Sequence, residues 1–219
     1  MQIDTLESAR RETTTDGKQL PQPRKNLSNV FPTIVIKRFK KDELFGGAEN
    51  FIQRLVTQLA LLGININILS ARLKPEWEKT EQVTINGTKV NIKRLPHPRL
   101  RFAGTLIYNL YLLFELLTNK ESNRVIHINF ASKELIPAVL ARTLTGTPIV
   151  CRIACAGDTG ELTSECNRFY GFIIKRALKN VDAFVALSED IVRELSGEGI
   201  EKQKILVIPN GVDLSLIHI

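Results

Sequence analysis

The chain begins without pattern and becomes periodic near residue 33. Residues 1–30 are polar, with a Thr13-Thr14-Thr15 run, Gly17, Pro21 and Pro23, and read as a flexible leader. Thr33-Ile34-Val35-Ile36 is a short β-branched run of the kind a buried strand needs. After a loop, Gly46-Gly47 precedes Phe51, Ile52, Leu55, Val56, Leu59 and Leu62, which fall at helical spacing up to Gly63. A strand over Ile64–Leu69 follows, and Val83 to Val90 read as a hairpin around Asn86-Gly87, because a tight turn needs positive φ at both central residues. Phe102–Leu117 is apolar on nearly every turn and predicts a buried domain helix. It is shorter than the roughly 20 residues a membrane span requires, and Asn109 and Glu115 interrupt it.

The second half repeats one unit. Strands are expected over Val125–Phe130, Pro148–Ile153, Ala183–Leu187 and Lys204–Ile208. Helices are expected over Glu134–Leu144 and Arg168–Leu178, and from an N-cap at Ser188 through Leu195. The strands are apolar on both faces, as in a parallel sheet covered on each side. The fold class is therefore α/β, a Rossmann-like parallel sheet with helices on both faces, spanning residues 31–213. Ligands in such sheets sit at the carboxyl ends of the strands. That directs attention to the loops at Gly46-Gly47, Asn129-Phe130, Ala154–Gly160, Ser188 and Asn210-Gly211.

Composition narrows the compartment and the partners. At 219 residues the chain lies between one and two ordinary domains, and its hydrophobic and charged fractions, 43% and 24%, are those of a globular protein. Cys151, Cys155 and Cys166 are too few for a disulfide framework and read as small buried apolar residues, not metal ligands, suiting a reducing compartment. Met1–Val30 has no apolar segment of a signal peptide and contains four acids, which argues against a transit peptide; the sequons at Asn26 and Asn86 then read as chance. The formal charge is +7, and Lys89, Lys93, Arg94, Arg99 and Arg101 gather in one acid-free segment beside the apolar helix at Phe102. Such a segment suits an anionic membrane surface or, equally, a solvated face. Aromatics at 6% and the lack of a recognisable module speak against nucleic acid.

The residues that carry chemistry are few. Gly46-Gly47 opens a helix, where small residues let a phosphate approach backbone N–H groups and the dipole favours negative charge. A plain tight turn is the alternative. Glu49 serves the same dipole. Arg152 and the loop with Gly157 and Asp158 could hold a hydroxylated substrate, or form a surface turn with a buried salt bridge. His127 lies within a strand, where a satisfied core histidine is the commoner outcome, although near a carboxyl end.

Four stretches in order resemble the N-terminal domain of a family 4 glycosyltransferase of the GT-B fold. They are Gly46-Gly47-Ala48-Glu49, Val125-Ile126-His127-Ile128-Asn129, the strand-to-helix step Val181 to Glu189, and Ile205 to Asp213 with its Ile-Pro-Asn-Gly-Val-Asp ending. The resemblance covers about residues 33–213. It implies the acceptor-side half of a retaining, hexosyltransferase-type enzyme that uses a nucleotide-sugar donor and a glycan or lipid-linked acceptor, in polysaccharide biosynthesis. By it, Gly46 and Gly47 face the donor diphosphate, while His127, Asn129, Arg152, Gly157, Asp158 and Ser188 are acceptor-site residues. Asn210 and Gly211 border the interdomain cleft. The basic segment itself, not the resemblance, makes Lys89, Lys93, Arg94, Arg99 and Arg101 the membrane-surface candidates. No cofactor or metal is expected, because helix dipoles and basic side chains neutralise the leaving phosphate. The implied location is cytoplasmic, peripheral on the membrane.

Two departures from the family pattern stand out. Arg152-Ile153-Ala154-Cys155-Ala156-Gly157 lacks the His that many members carry there, although some relatives have a small, Gly-rich loop at this place. The donor-binding half has no counterpart, since residues 214–219 read as a truncated crossover; the chain alone is therefore expected to be inactive. The alternative functions are a non-catalytic GT-B-like binding domain and a sugar-nucleotide epimerase fragment.

Overall fold

A computed structural model of the chain describes residues 30–40, 46–119, 121, 124–157 and 160–211. The leader up to residue 29, Asp158 and residues 212–219 lie outside the described residues. The elements are β1 (Phe31–Val35), α1 (Gly47–Leu61), β2 (Ile66–Arg72), β3 (Thr80–Ile85), β4 (Thr88–Pro96), α2 (Arg101–Thr118), β5 (Arg124–Ile128), α3 (Leu135–Thr145), β6 (Ile149–Ile153), α4 (Glu161–Cys166), α5 (Gly171–Leu178), β7 (Ala183–Ala186), α6 (Glu189–Gly197) and β8 (Ile205–Val207). They form one eight-stranded sheet in the order β3-β4-β2-β1-β5-β6-β7-β8. All neighbours are parallel except β3 and β4.

Alternation along the strands sorts side chains onto the two faces. Ile34, Ile66, Ile68, Val90 and Ile92 meet Ile52, Val56 and Ala60 of α1. On the other face Val35, Ile126, Ile128, Cys151, Ile153 and Phe184 meet α2, α3, α5 and α6 through Tyr108, Leu112, Ala138, Ile174 and Leu195. The chain winds outward from β1 in one direction and from β5 in the other. The switch point therefore lies between β1 and β5, where adjacent loops diverge and leave a crevice at the carboxyl edge.

The hairpin forms around the expected residues: Asn86 and Gly87 have φ of 48° and 80°, and β3 pairs antiparallel with β4. α1 closes at Gly63 with paired bonds, Gly63 N–H to Ala60 O and Ile64 N–H to Leu59 O. Three expectations change. The helix expected from Arg168 begins only at Gly171, as α5, and a further short helix, α4, precedes it and buries Leu162 and Cys166 at helical spacing. Cys155 is exposed, while Cys151 and Cys166 are buried. α2 is not a buried helix. It buries Tyr108, Leu112 and Leu116 but exposes Leu106, Leu110, Tyr111 and Phe114, because a helix in an outer layer has a single core-facing stripe.

Candidate functional site

An open cleft of about 640 Å³ occupies the carboxyl edge at the β1/β5 switch point. The end of β1 contributes Ile36, Lys37 and Arg38; α1 contributes Glu49; the turn after β5 contributes Asn129 through Glu134; and the region around α4 contributes Glu161, Ser164, Glu165, Arg168 and Tyr170. The lining alternates cations and carboxylates. Arg168 pairs with Glu165 at 3.3 Å, Tyr170 donates its hydroxyl hydrogen to Glu165 at 2.9 Å, and Lys133 lies 4.8 Å from the Tyr170 ring centre. Hydroxyl, carboxylate and ammonium groups converging on an open crevice suit a polyhydroxylated ligand.

Arg152 sits behind this cleft. It is 2% exposed, donates to Asn129 Oδ1 at 3.2 Å and to Asn210 Oδ1 at 3.0 Å, and stacks over the Phe51 ring at 3.8 Å. Three predicted residues are thus brought together, with Arg152 tying the cleft-lining Asn129 to the segment after β8. Burial lowers the Arg152 pKa, and the carboxylate of Glu161 opposes that shift. The alternative of a surface turn with a salt bridge does not describe Arg152, whose hydrogen-bond partners are amide oxygens. His127 occupies the neighbouring strand, with its Nε2 enclosed and unpaired. Burial first, then Arg152, drives its pKa down to about 4, so the ring is neutral near pH 7.

Glu161 was not singled out in the sequence, although it directly follows the Gly157–Gly160 loop. Its Oε1 accepts the Ala154 N–H at 3.0 Å, and the backbone N–H groups of Ala131 and Cys155 also favour its ionised form. Burial outweighs these contacts and the nearby Arg152, so its pKa rises to about 7. The loop that places it needs glycine at residue 160: a Cβ there would come within 2.8 Å of the Ala156 carbonyl carbon and the Gly157 oxygen. Gly157 itself donates to Glu194 of α6 and does not line the cleft.

The remaining predicted residues are placed as follows. Gly46 and Gly47 head α1, with the Asn50 N–H bonded to the Gly46 carbonyl at 3.0 Å. Gly46 is fully extended, and among the described residues a Cβ added to Gly47 would meet nothing within 4 Å. Ser188 occupies the N-cap position of α6, but its hydroxyl makes no capping bond, a correction to its expected role. The basic segment does not form one surface. It runs along β4, whose period of two sends Lys89 and Lys93 outward and Arg94 inward. Arg94 is buried, paired with Glu81 at 2.6 Å and beside the Trp77 ring, which removes it from any membrane contact. Lys93 pairs with Glu115 at 2.7 Å, Arg99 is exposed, and Arg101 opens α2.

The sequence matches the family model described as Glycosyltransferase Family 4 over residues 45–216. No curated protein sequence matches significantly. Among solved structures, the chain is similar to sucrose-phosphate synthase from Thermosynechococcus elongatus, with a TM-score of 0.67, 13% identity, and coverage of 86% of this chain and 50% of that one. It is also similar to Anabaena HepE in complex with UDP-glucose, with a TM-score of 0.55, 13% identity, and coverage of 85% and 45%. A trehalose-6-phosphate synthase, OtsA, matches with a TM-score of 0.57, 15% identity, and coverage of 84% and 50%. The chain spans about half the length of these structures.

Proposed function

Since the chain belongs to glycosyltransferase family 4 and has the Rossmann-like architecture of GT-B enzymes, we propose that it is the acceptor-side domain of a retaining hexosyltransferase. The donor is a nucleotide-sugar, and the acceptor is a glycan or a lipid-linked saccharide handled at the cytoplasmic face of a membrane. The observation that carries this reading is the polar cleft at the switch point, bordered by the start of α1. The similarity to HepE, solved with UDP-glucose, supports a nucleotide-sugar donor. Three free cysteines agree with a reducing compartment.

In this reading the cleft holds the acceptor. Asn129, Glu134 and Glu161 offer acceptors to its hydroxyl hydrogens, and Lys133 donates to its oxygens. The donor diphosphate meets the first N–H groups of α1. Neither Gly46 nor Gly47 has a left-handed φ, and among the described residues nothing packs within 4 Å of a Cβ placed on Gly47, so their packing gives no reason for glycine at residue 47. A close-approaching ligand supplies one. The leaving phosphate is neutralised by the helix dipole and basic side chains, without a metal or other cofactor. Residues 31–213 act as one domain.

The test is a titration of the isotopically labelled chain with UDP-glucose, read by amide chemical shifts. The Gly47 and Ala48 signals are expected to move, and Gly47→Val is expected to abolish the movement with the unfolding midpoint unchanged. Still signals at both amides would reject the diphosphate assignment. One observation favours the non-catalytic binding domain instead: the Ala154–Gly160 loop lacks the family's histidine, and Arg152 is engaged internally.

A further inference from the structure

A second hollow, of about 500 Å³, lies away from the cleft, over the first halves of β2 and β4. It opens on the face of the sheet that carries α2, since Lys93 of β4 pairs there with Glu115 of that helix at 2.7 Å. Here the strands depart from the pattern of a covered parallel sheet, which is apolar on both faces. Register brings Gln82 of β3, Asn91 of β4 and Asn67 of β2 into one row, and alternation sends all three side chains to this face. Gln82 and Asn91 are exposed and Asn67 is half-buried. Asparagine is depleted in strands, so strand formation gives no reason for amides at neighbouring positions of β2 and β4.

The row is pre-organised. Gln82 Nε2 donates to Asn91 Oδ1 at 2.8 Å, Asn91 Nδ2 to Asn67 Oδ1 at 3.1 Å, and Asn67 Nδ2 to Glu121 Oε2 at 2.9 Å. A side-chain amide has two N–H donors and an oxygen with two lone pairs. These bonds use one N–H of each amide and leave each with a donor and at least one lone pair. Three donor–acceptor sets then stand side by side at the strand spacing of about 4.8 Å, on side chains already held in place, which lowers the cost of binding. The charges beside the row cancel in pairs, Lys93 with Glu115 and Arg94 with Glu81 at 2.6 Å. Neutral donor–acceptor sets among paired charges complement a neutral ligand rich in hydroxyls, each of which gives and takes a hydrogen bond. Among the described lining residues a phosphate or carboxylate would find no cation without its own carboxylate.

We propose that the row Gln82-Asn91-Asn67 binds a neutral oligosaccharide, each amide taking a pair of adjacent sugar hydroxyls. α2 connects this groove to the cleft: Thr105 lines the cleft, and Glu115 and Asn119 line the groove. Thr105 and Glu115 are ten residues apart on the helix, a rise of about 15 Å, which several sugar units span. On the reading of the cleft given above, the groove holds the remote part of a long acceptor glycan whose end lies at the switch point. The saccharide contact itself stands on the amide row and its paired charges, independently of that reading.

The side-chain amide signals of the nitrogen-labelled 219-residue chain test this. Maltohexaose and cellohexaose at millimolar concentration are the probes, and at least one is expected to move the signals of Gln82, Asn91 and Asn67. Gln82→Thr/Asn91→Thr removes two of the amides while raising strand propensity, and should weaken that binding about tenfold with an unfolding midpoint no lower than that of wild type. Signals unmoved by both probes would overturn the proposal, as would equal affinity of the double variant. So would signals that move with protein concentration and not with saccharide, since a second copy paired along the edge strand β3 would then own the face. Saccharide shifts in the groove with none at Ala131 and Ser132 would reject the acceptor reading of the cleft and leave the groove standing; shifts confined to the cleft would do the reverse.

Discussion

At the scale of single residues, the behaviour of the site turns on three polar side chains, Arg152 buried and Glu161 and His127 partly buried. Arg152 is a cation removed from water and held by two amide oxygens and an aromatic face. Arg152→Ala leaves Asn129 and Asn210 without their donor and empties a large side-chain volume; the expected cost is about 3 kcal/mol by urea unfolding. Arg152→Lys keeps the charge but not the planar fork that spans both oxygens, so it should recover only part of that loss.

Glu161 and His127 make opposite contributions to the pH dependence of stability. The folded-state pKa of Glu161 is raised from 4.5 to about 7, so its contribution is full below pH 4.5 and is lost as pH rises through 7. That of His127 is lowered from 6.5 to about 4, so its contribution is full above 6.5 and is lost as pH falls through 4. Between pH 4.5 and 6.5 the two slopes oppose each other. Glu161→Gln should unmask the histidine, giving a urea midpoint that climbs with pH across that window, while His127→Gln should give one that falls. Parallel curves for wild type and Glu161→Gln would contradict the raised carboxyl.

At the scale of elements, turn and loop chemistry decides where the strands deliver their side chains. Gly87→Val places a β-branched residue at a φ of 80° and should cost about 1–2 kcal/mol in thermal unfolding, with β3 and β4 still paired in the surviving fold. Gly160→Ala forces a Cβ against backbone atoms at 2.8 Å, and a loss of about 2 kcal/mol is expected together with a shifted Ala154 amide signal, since Glu161 holds that N–H. The elements themselves were largely legible in the chain. Asn86-Gly87 and the Leu55-Val56-Leu59 spacing are local signals, complete within a few residues. What misled was local too. α2 is apolar all round and reads as buried, and Lys89 to Arg101 reads as one basic patch, although a strand's alternation divides it between two faces. α4 is not legible in the chain because the helical spacing of Leu162 and Cys166 spans barely one turn.

At the scale of the whole molecule, the strand order places the ends of β1 and β5 side by side and so creates the cleft. The chain spans about half the length of sucrose-phosphate synthase and of OtsA. The amino-acid sequence by itself determined the alternation of strands and helices, the hairpin, the glycine-headed α1 and the family, because each is written in spacings of a few residues or in motifs read in order. Only the tertiary structure decided that Arg152 joins Asn129 to Asn210, a partner 58 residues away, that Glu161 belongs to the cleft, and that the apolar surplus of α2 faces outward at its rim. These facts depend on which strands become neighbours and which helix faces stay uncovered, and those outcomes are settled by burial of the whole sheet, not by any single segment.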